Sequence, residues 1–441
     1  MAKFDAIVIG TGPAGEHCLG RLSDSGLKVA AVERELVAGE CSYWACMPSK
    51  TLLRPGDVIA EAQRAPGAAE AVSGELDVPS ALAWRDYMIS DLDDTEHAAW
   101  VEGKGTLLRG AAKLAGPGKI EVDGEAHESE RIVIATGSGP KFPPIDGLAE
   151  IDGVWTNREA TNVKEIPGRL LILGGGPVGC ELAQAFARMG ASVVIVEGAD
   201  HLLPNMPKAA GEAIGECLEA EGIELRLGDH ASAAERRGDK FRLVFDGADN
   251  AEGDKLLVAT GRKARIEDLG LETVGIEADE KGIPVDERLR AADGVWAIGD
   301  VTPYPRFTHV GKYQARIVVG DVNGEDVRAD YRAVPKVVFT DPEVAFVGEA
   351  EGKATGTGLL KNVSRTSTYE REYDKRPMFV TVVSDGAKLT GAYAVGPNAG
   401  EWLQQATLAI RAELPIDVLR DVIQPFPTFS EAFFSALDDL D

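Results

Sequence analysis

The sequence predicts an α/β protein with two Rossmann-like dinucleotide-binding domains and a smaller α+β domain. Three observations predict it. A strand-like run ends in a glycine-rich turn at residues 10–15, the same arrangement returns at residues 174–179, and beyond Tyr331 the pattern changes to short alternating strands and a helix. The expected boundaries are 1–150 for the first domain, 151–265 for the second, 266–330 for a central segment completing the first, and 331–441 for the third.

FDAIVI (4–9) reads as a buried strand, GTGPAG as a turn, the residues through Leu22 as a helix, and KVAAVE (28–33) as the next strand. In such a unit Gly10 permits the tight turn, Gly12 lets a pyrophosphate approach the backbone, and Gly15 allows close helix–strand packing. The helix N-terminus then faces the phosphates and Glu33 is placed for a ribose hydroxyl. Residues 170–197 repeat the unit with Gly174, Gly176, Gly179 and Glu197. A carboxylate at Glu197 accepts the 2′-hydroxyl and repels a 2′-phosphate, so NADH is expected over NADPH. Two further pieces, RIVIATGSGP (131–140) and KLLVATGRKA (255–264), both read strand then Ala-Thr-Gly, marking Thr136, Gly137 and Gly261. GVWAIGD (294–300) is a strand ending at Asp300, placed for a polyol chain. PKVVFT, PMFVTVVSD and KLTGAYAVG alternate like antiparallel strands, and EWLQQATLAIRAE follows as a helix.

Lys and Arg number 46 against 72 Asp and Glu, a formal charge of −26. That balance argues against nucleic acid or an anionic membrane as partner. No run of about 18 apolar residues reads as a span, and no signal segment opens the chain, so a cytoplasmic protein is expected. The six histidines and five cysteines form no metal-ligand spacing. Cys18, Cys180 and Cys217 lie in helix-like runs and read as buried thiols.

Cys41 and Cys46 differ. In GECSYWACMPSK (39–50) they stand five positions apart. On a regular helix that spacing puts their Cα atoms about 9 Å apart, whereas a disulfide needs roughly 4.4–6.8 Å. A redox pair here therefore requires a distorted helix start. A helix N-terminus is also expected to lower thiol pKa.

Together these pieces resemble the flavin-dependent pyridine nucleotide–disulfide oxidoreductases, a group spanning dihydrolipoamide dehydrogenase, glutathione and mycothione reductases and mercuric reductase. GECSYWACMPSK is similar to the family motif GGTCLNVGCIPSK. The resemblance implies FAD at the first glycine loop and NAD(P)H at the second, with Asp300 on the ribityl chain. It implies Cys41 as the interchange thiol, Cys46 as the thiol facing the flavin, and Lys50 paired with Glu181 beside the flavin. VPKVVFTDPEVAFVGEAE (334–351) resembles the start of the family's dimerisation domain, implying a homodimer with active sites shared across subunits.

Two departures bear on the substrate. Most disulfide-reducing members end in His-Pro-Thr with a glutamate a few residues on, and the histidine is the acid/base. This chain reads QPFPTFSEAFF (424–434), with Phe426 at the histidine position, Glu431 retained, and no histidine after His309. Between the cysteines, Tyr43 and Trp44 replace small and apolar residues. They are read either as core aromatics or as a substrate pocket shared with Phe426 and Phe429. A low-pKa thiol leaves without a general acid, and an aromatic cage binds organic cations. The expected substrate is therefore a low-molecular-weight disulfide with an aromatic, cationic or thione-forming half, such as ergothioneine disulfide. The alternatives are a quinone reductase with idle cysteines, dihydrolipoamide dehydrogenase, mercuric reductase, and a flavin-bearing redox sensor without catalysis.

Overall fold

The computed structural model describes residues 2–371 and 375–440. The chain divides into two compact units, the first comprising residues 1–48, 86–141 and 262–330, the second residues 49–85, 142–261 and 331–441.

The first unit is built on a six-stranded sheet in the order Arg290–Ala292, Val295–Ala297, Ile132–Ile134, Ala6–Ile9, Val29–Glu33, Thr106–Arg109. All its pairings are parallel except the hairpin at Val295–Ala297. Successive strand residues point to opposite faces, and here both faces are buried. Ile7, Ile9, Ile132 and Ile134 join one core, while Ala6, Val8 and Val133 join another. That explains the uninterrupted apolar runs in the sequence, which suit a parallel sheet covered on both sides. The helix expected after the first loop runs Pro13–Asp24.

The second unit holds a four-stranded parallel sheet in the order Glu224–Leu227, Ser192–Glu197, Arg169–Leu173, Lys255–Val258. Leu170 and Ile172 face one core, Leu171 and Leu173 the other. Helix Cys46–Arg64 sends Leu52 and Leu53 into the first of these cores, which is why residues 49–85 group with this unit.

Residues 331–441 contribute a five-stranded antiparallel sheet in the order Lys336–Val338, Glu343–Gly348, Leu389–Gly396, Phe379–Ser384, Ala354–Leu359. Helix Ser430–Asp438 lies directly on its edge strand. A Cβ at Gly358 would stand 2.0 Å from Ala432 O and one at Gly356 2.1 Å from Ala436 O, so only glycine admits the helix there. The run expected as one helix at 401–413 forms two, Ala399–Trp402 and Gln404–Ala412.

Candidate active site

The segment carrying the cysteines is broken as the disulfide geometry demands. A short helix, Gly39–Tyr43, stops at Trp44 (φ −136°, ψ 1°), and a new helix starts at Cys46. The entry is tied to the first glycine loop. Ala38 N–H donates to Thr11 O at 3.0 Å, and Gly39 sits so close that a Cβ would lie 2.9 Å from Gly12 Cα. Both cysteines are present as thiols. The Thr308 hydroxyl joins them, donating to Cys41 Sγ at 3.2 Å and lying 3.6 Å from Cys46 Sγ.

The expected lowering of thiol pKa is not what Cys41 experiences. The Cys46 sulfur beside it and burial both push it up, with Thr308 pulling the other way. Two adjacent, partly buried sulfurs resist a second negative charge. Burial raises the other thiols too, Cys18 to about 12 and Cys217 to about 11, with Cys180 also pushed up.

Between the cysteines, Tyr43 is 2% exposed. It packs with Ala38, Ile89 and Trp44 and meets the His97 ring edge-on at 6.2 Å. Tyr43 is therefore a core aromatic rather than a pocket wall, because its ring closes the small core beneath the cysteine turn. Trp44 is partly buried against that same core.

Around the first loop, Gly10 adopts φ +99°, and a Cβ there would stand 2.4 Å from Ala135 O; one at Gly15 would stand 1.9 Å from Gly10 O. Gly12, just before the helix, has open space where a Cβ would go, the cradle a pyrophosphate needs. Glu33 accepts from Thr11 N–H at 2.9 Å and from its hydroxyl at 2.8 Å. Thr136 donates to Arg265 O at 2.8 Å, and Gly137 has φ +73°. Asp300 accepts from the Ser138 hydroxyl at 2.6 Å, which in turn accepts from Arg262 Nε at 2.7 Å. These residues fit an FAD.

The second loop repeats the geometry. A Cβ at Gly174 would lie 2.6 Å from Ala259 O and one at Gly179 2.0 Å from Gly174 O, while Gly176 faces open space. Glu197 accepts from Gly175 N–H at 2.7 Å and from Ala199 N–H at 2.9 Å. Gly261, with φ +113°, also has room. A pyridine nucleotide fits here.

Further along helix Pro177–Arg188, Glu181, Gln184 and Arg188 fall on one face. Glu181 Oε2 takes Lys50 Nζ at 2.6 Å, and its Oε1 takes Phe339 N–H at 3.0 Å. Lys50 Nζ also lies 4.8 Å from the Phe339 ring centroid. Gln184 clamps Asp341 through both backbone groups, at 2.8 and 3.0 Å. Lys50, Asp57, Glu61, Phe339 and Tyr369 line a cleft of about 240 Å³ in the second unit.

Near the C-terminus, Phe426 is 73% exposed. Phe429 is buried in the core of the third domain against the Tyr369 ring at 5.3 Å, so it is not a pocket residue: its side chain anchors the turn into the last helix. Glu431 Oε1 accepts from Thr428 N–H at 2.9 Å.

The family model described as pyridine nucleotide-disulphide oxidoreductase matches residues 4–315, and that family's dimerisation domain matches residues 334–437. The chain belongs to the pyridine nucleotide-disulphide oxidoreductases. It is 36% identical to a dihydrolipoyl dehydrogenase of Thermus scotoductus across the whole of this chain and 98% of that one. It is 33% identical to a mercuric reductase of Staphylococcus aureus across 97% of this chain and 81% of that one. Among solved structures, the Cu(II) complex of the HOCl-induced flavoprotein disulfide reductase RclA from Escherichia coli superposes with a TM-score of 0.87 at 27% identity, covering 99% of each chain.

As a member of this oxidoreductase family the chain binds FAD and a pyridine nucleotide, and its third domain is the dimerisation domain. In that domain Ile423, 95% exposed, Phe426, Leu408, Val418 and Val422 are large apolar side chains left exposed. No helix among the described residues is long and apolar enough to cross a membrane. Sequence reasoning missed Thr308, Ser138, Arg262 and Glu40. Glu40 pairs with Arg265 at 2.8 Å and Arg262 at 3.6 Å. Arg262, directly after the second Ala-Thr-Gly, was the one of these with a local signal.

Proposed function

We propose that this flavoenzyme uses NADH to reduce a low-molecular-weight disulfide through Cys41 and Cys46. The carrying observation is the pair itself: a helix broken at Trp44, so that both sulfurs meet one hydroxyl. Bound FAD supplies the two-electron step between pyridine nucleotide and sulfur. Cys41 is the attacking thiolate and Cys46 the sulfur facing the flavin. Lys50, fixed by Glu181, supplies a positive charge beside the flavin. NADH preference rests on Glu197 and on the absence of arginine between it and Asn205. Asp200 adds less, because it is paired with Lys208.

The substrate reading rests on Phe426. Oxidising a dithiol, the reaction named for the dihydrolipoyl dehydrogenase relatives, needs a base to take a proton, and phenylalanine cannot serve. A disulfide whose half leaves as a stable thiolate, relaxing to a thione, needs no acid. Phe426 and Glu431, presented to the second subunit of the dimer, supply an aromatic face and a carboxylate for an organic cation. Ergothioneine disulfide has both properties.

Anaerobic reduction with one and two equivalents of NADH, followed by ergothioneine, mycothiol, glutathione, lipoamide and cystine disulfides and a quinone, tests this. A long-wavelength thiolate–flavin band discharged by one disulfide is expected. Turnover on quinone alone, undiminished in Cys41→Ser, would overturn the reading.

A further inference from the structure

In the second unit, strands Arg169–Leu173, Ser192–Glu197 and Glu224–Leu227 are consecutive neighbours and run parallel. Their C-terminal ends therefore share one edge of the sheet, spaced roughly 4.8 Å apart. The glycine loop that suits a pyrophosphate follows the first strand, and Glu197, the acceptor for ribose hydroxyls, ends the second. The next step in the same direction, from ribose to base, reaches the end of Glu224–Leu227, the edge strand of this sheet. The residues that follow it are Gly228, Asp229 and His230.

His230 is fastened to Glu197 through the backbone. Gly228 N–H donates to Ala199 O at 2.8 Å, and Ala199 N–H donates to Glu197 Oε1 at 2.9 Å. The imidazole lies directly on Gly198: a Cβ there would stand 2.5 Å from His230 Cε1 and 2.8 Å from its Nδ1, so a side chain at 198 would push the ring away. The ring is nevertheless exposed, and no described residue forms a hydrogen bond or ion pair with it. His201, the other imidazole near Glu197, is turned inward. Its Nδ1–H donates to Leu202 O at 2.7 Å, and its side chain is 12% exposed. A flat ring with no hydrogen-bonding partner, seated beside the ribose acceptor, suits stacking on a base.

We propose that His230 is a specificity-determining residue for the pyridine nucleotide, its imidazole stacking on the adenine ring and Gly198 giving it a seat. Glu197 reads the ribose 2′-hydroxyl and His230 reads the base. The inference rests on the nucleotide site of the second loop and not on the disulfide substrate.

The test is calorimetric titration of the FAD-bound protein with ADP-ribose, which carries adenine, ribose and pyrophosphate but no nicotinamide, and with its 2′-phosphorylated form. His230→Ala should bind ADP-ribose about tenfold more weakly, at an unchanged melting midpoint. Both ligands should weaken by the same factor, because the base is common to them. His230→Phe, which keeps a flat ring without the nitrogens, should retain wild-type affinity. In stopped flow, flavin reduction by NADH should need about tenfold more nucleotide to saturate in His230→Ala, while reduction by reduced nicotinamide mononucleotide, which lacks adenine, should match wild type. Wild-type affinity for ADP-ribose in His230→Ala would overturn the proposal. So would a loss confined to the 2′-phosphorylated ligand, or a phenylalanine that binds no better than alanine. ADP-ribose delivers no hydride and needs no acceptor, so these outcomes are separable from failure of the disulfide reading, which would appear as full turnover in Cys41→Ser.

Discussion

Glu181 binds two donors at once: the Lys50 ammonium at 2.6 Å and the Phe339 backbone N–H at 3.0 Å. The carboxylate is almost fully enclosed while the lysine is 37% exposed. Glu181 is thus fixed from the dimerisation-domain side and in turn fixes Lys50, four residues beyond Cys46 on the same helix.

Removing the ammonium should act on chemistry more than on folding. In Lys50→Ala, stopped-flow reduction by NADH should slow at least about tenfold, equivalent to ~1.4 kcal/mol. The thermal midpoint should move little, because partly exposed ion pairs contribute about 0–1 kcal/mol. An unchanged reduction rate would remove Lys50 from the site.

Asp341 is a stability centre. Arg64, Arg188 and Arg376 reach it at 2.8, 2.9 and 3.0 Å. Burial alone would raise its carboxyl, but Arg376, Arg64 and Arg188 outweigh it and hold the group well below the usual carboxylate range. Asp341→Asn leaves these guanidinium groups facing a neutral amide and should cost about 3–5 kcal/mol, read as a lower unfolding midpoint. A depressed folded pKa contributes stability above the unfolded value, lost as pH falls through the folded one. The variant's deficit should therefore persist at neutral pH and shrink in strong acid.

Asp57 has the opposite sign. Burial pushes its carboxyl up to about 7, Arg188 at 2.7 Å only partly compensating and Asp341 adding to the rise. The folded state then binds the proton more tightly than the unfolded chain, so stability falls as pH rises between the ordinary value of 3.8 and about 7. Asp57→Asn should melt higher than wild type near pH 8 and coincide with it near pH 4. Parallel curves across that window would show that the carboxyl is not displaced.

Phe426→His restores the imidazole of the family pattern. Turnover of glutathione disulfide, whose alkyl thiolate benefits from protonation, should rise by at least about tenfold, since a placed general acid contributes about 10²–10⁴. Ergothioneine disulfide should be unchanged or slower. A rise with ergothioneine disulfide would sink the thione-type substrate.

The sequence by itself determined the two glycine loops, the parallel sheets that feed them, and the cysteine pair. Each is a local pattern: strand alternation, glycines that backbone contacts demand, and a cysteine spacing that excludes a regular helix. Glu33 and Glu197 were legible for the same reason, lying at the end of the strand each unit requires. Only the tertiary structure decided that Thr308 meets both sulfurs, that Asp341 gathers three arginines, and that Glu181 holds Phe339. It also buried Tyr43 and Phe429 as core rings while leaving Phe426 exposed. These are contacts across many tens to hundreds of residues, set by how helices settle on sheets, and side-chain periodicity along a segment carries no record of which distant element will pack against it.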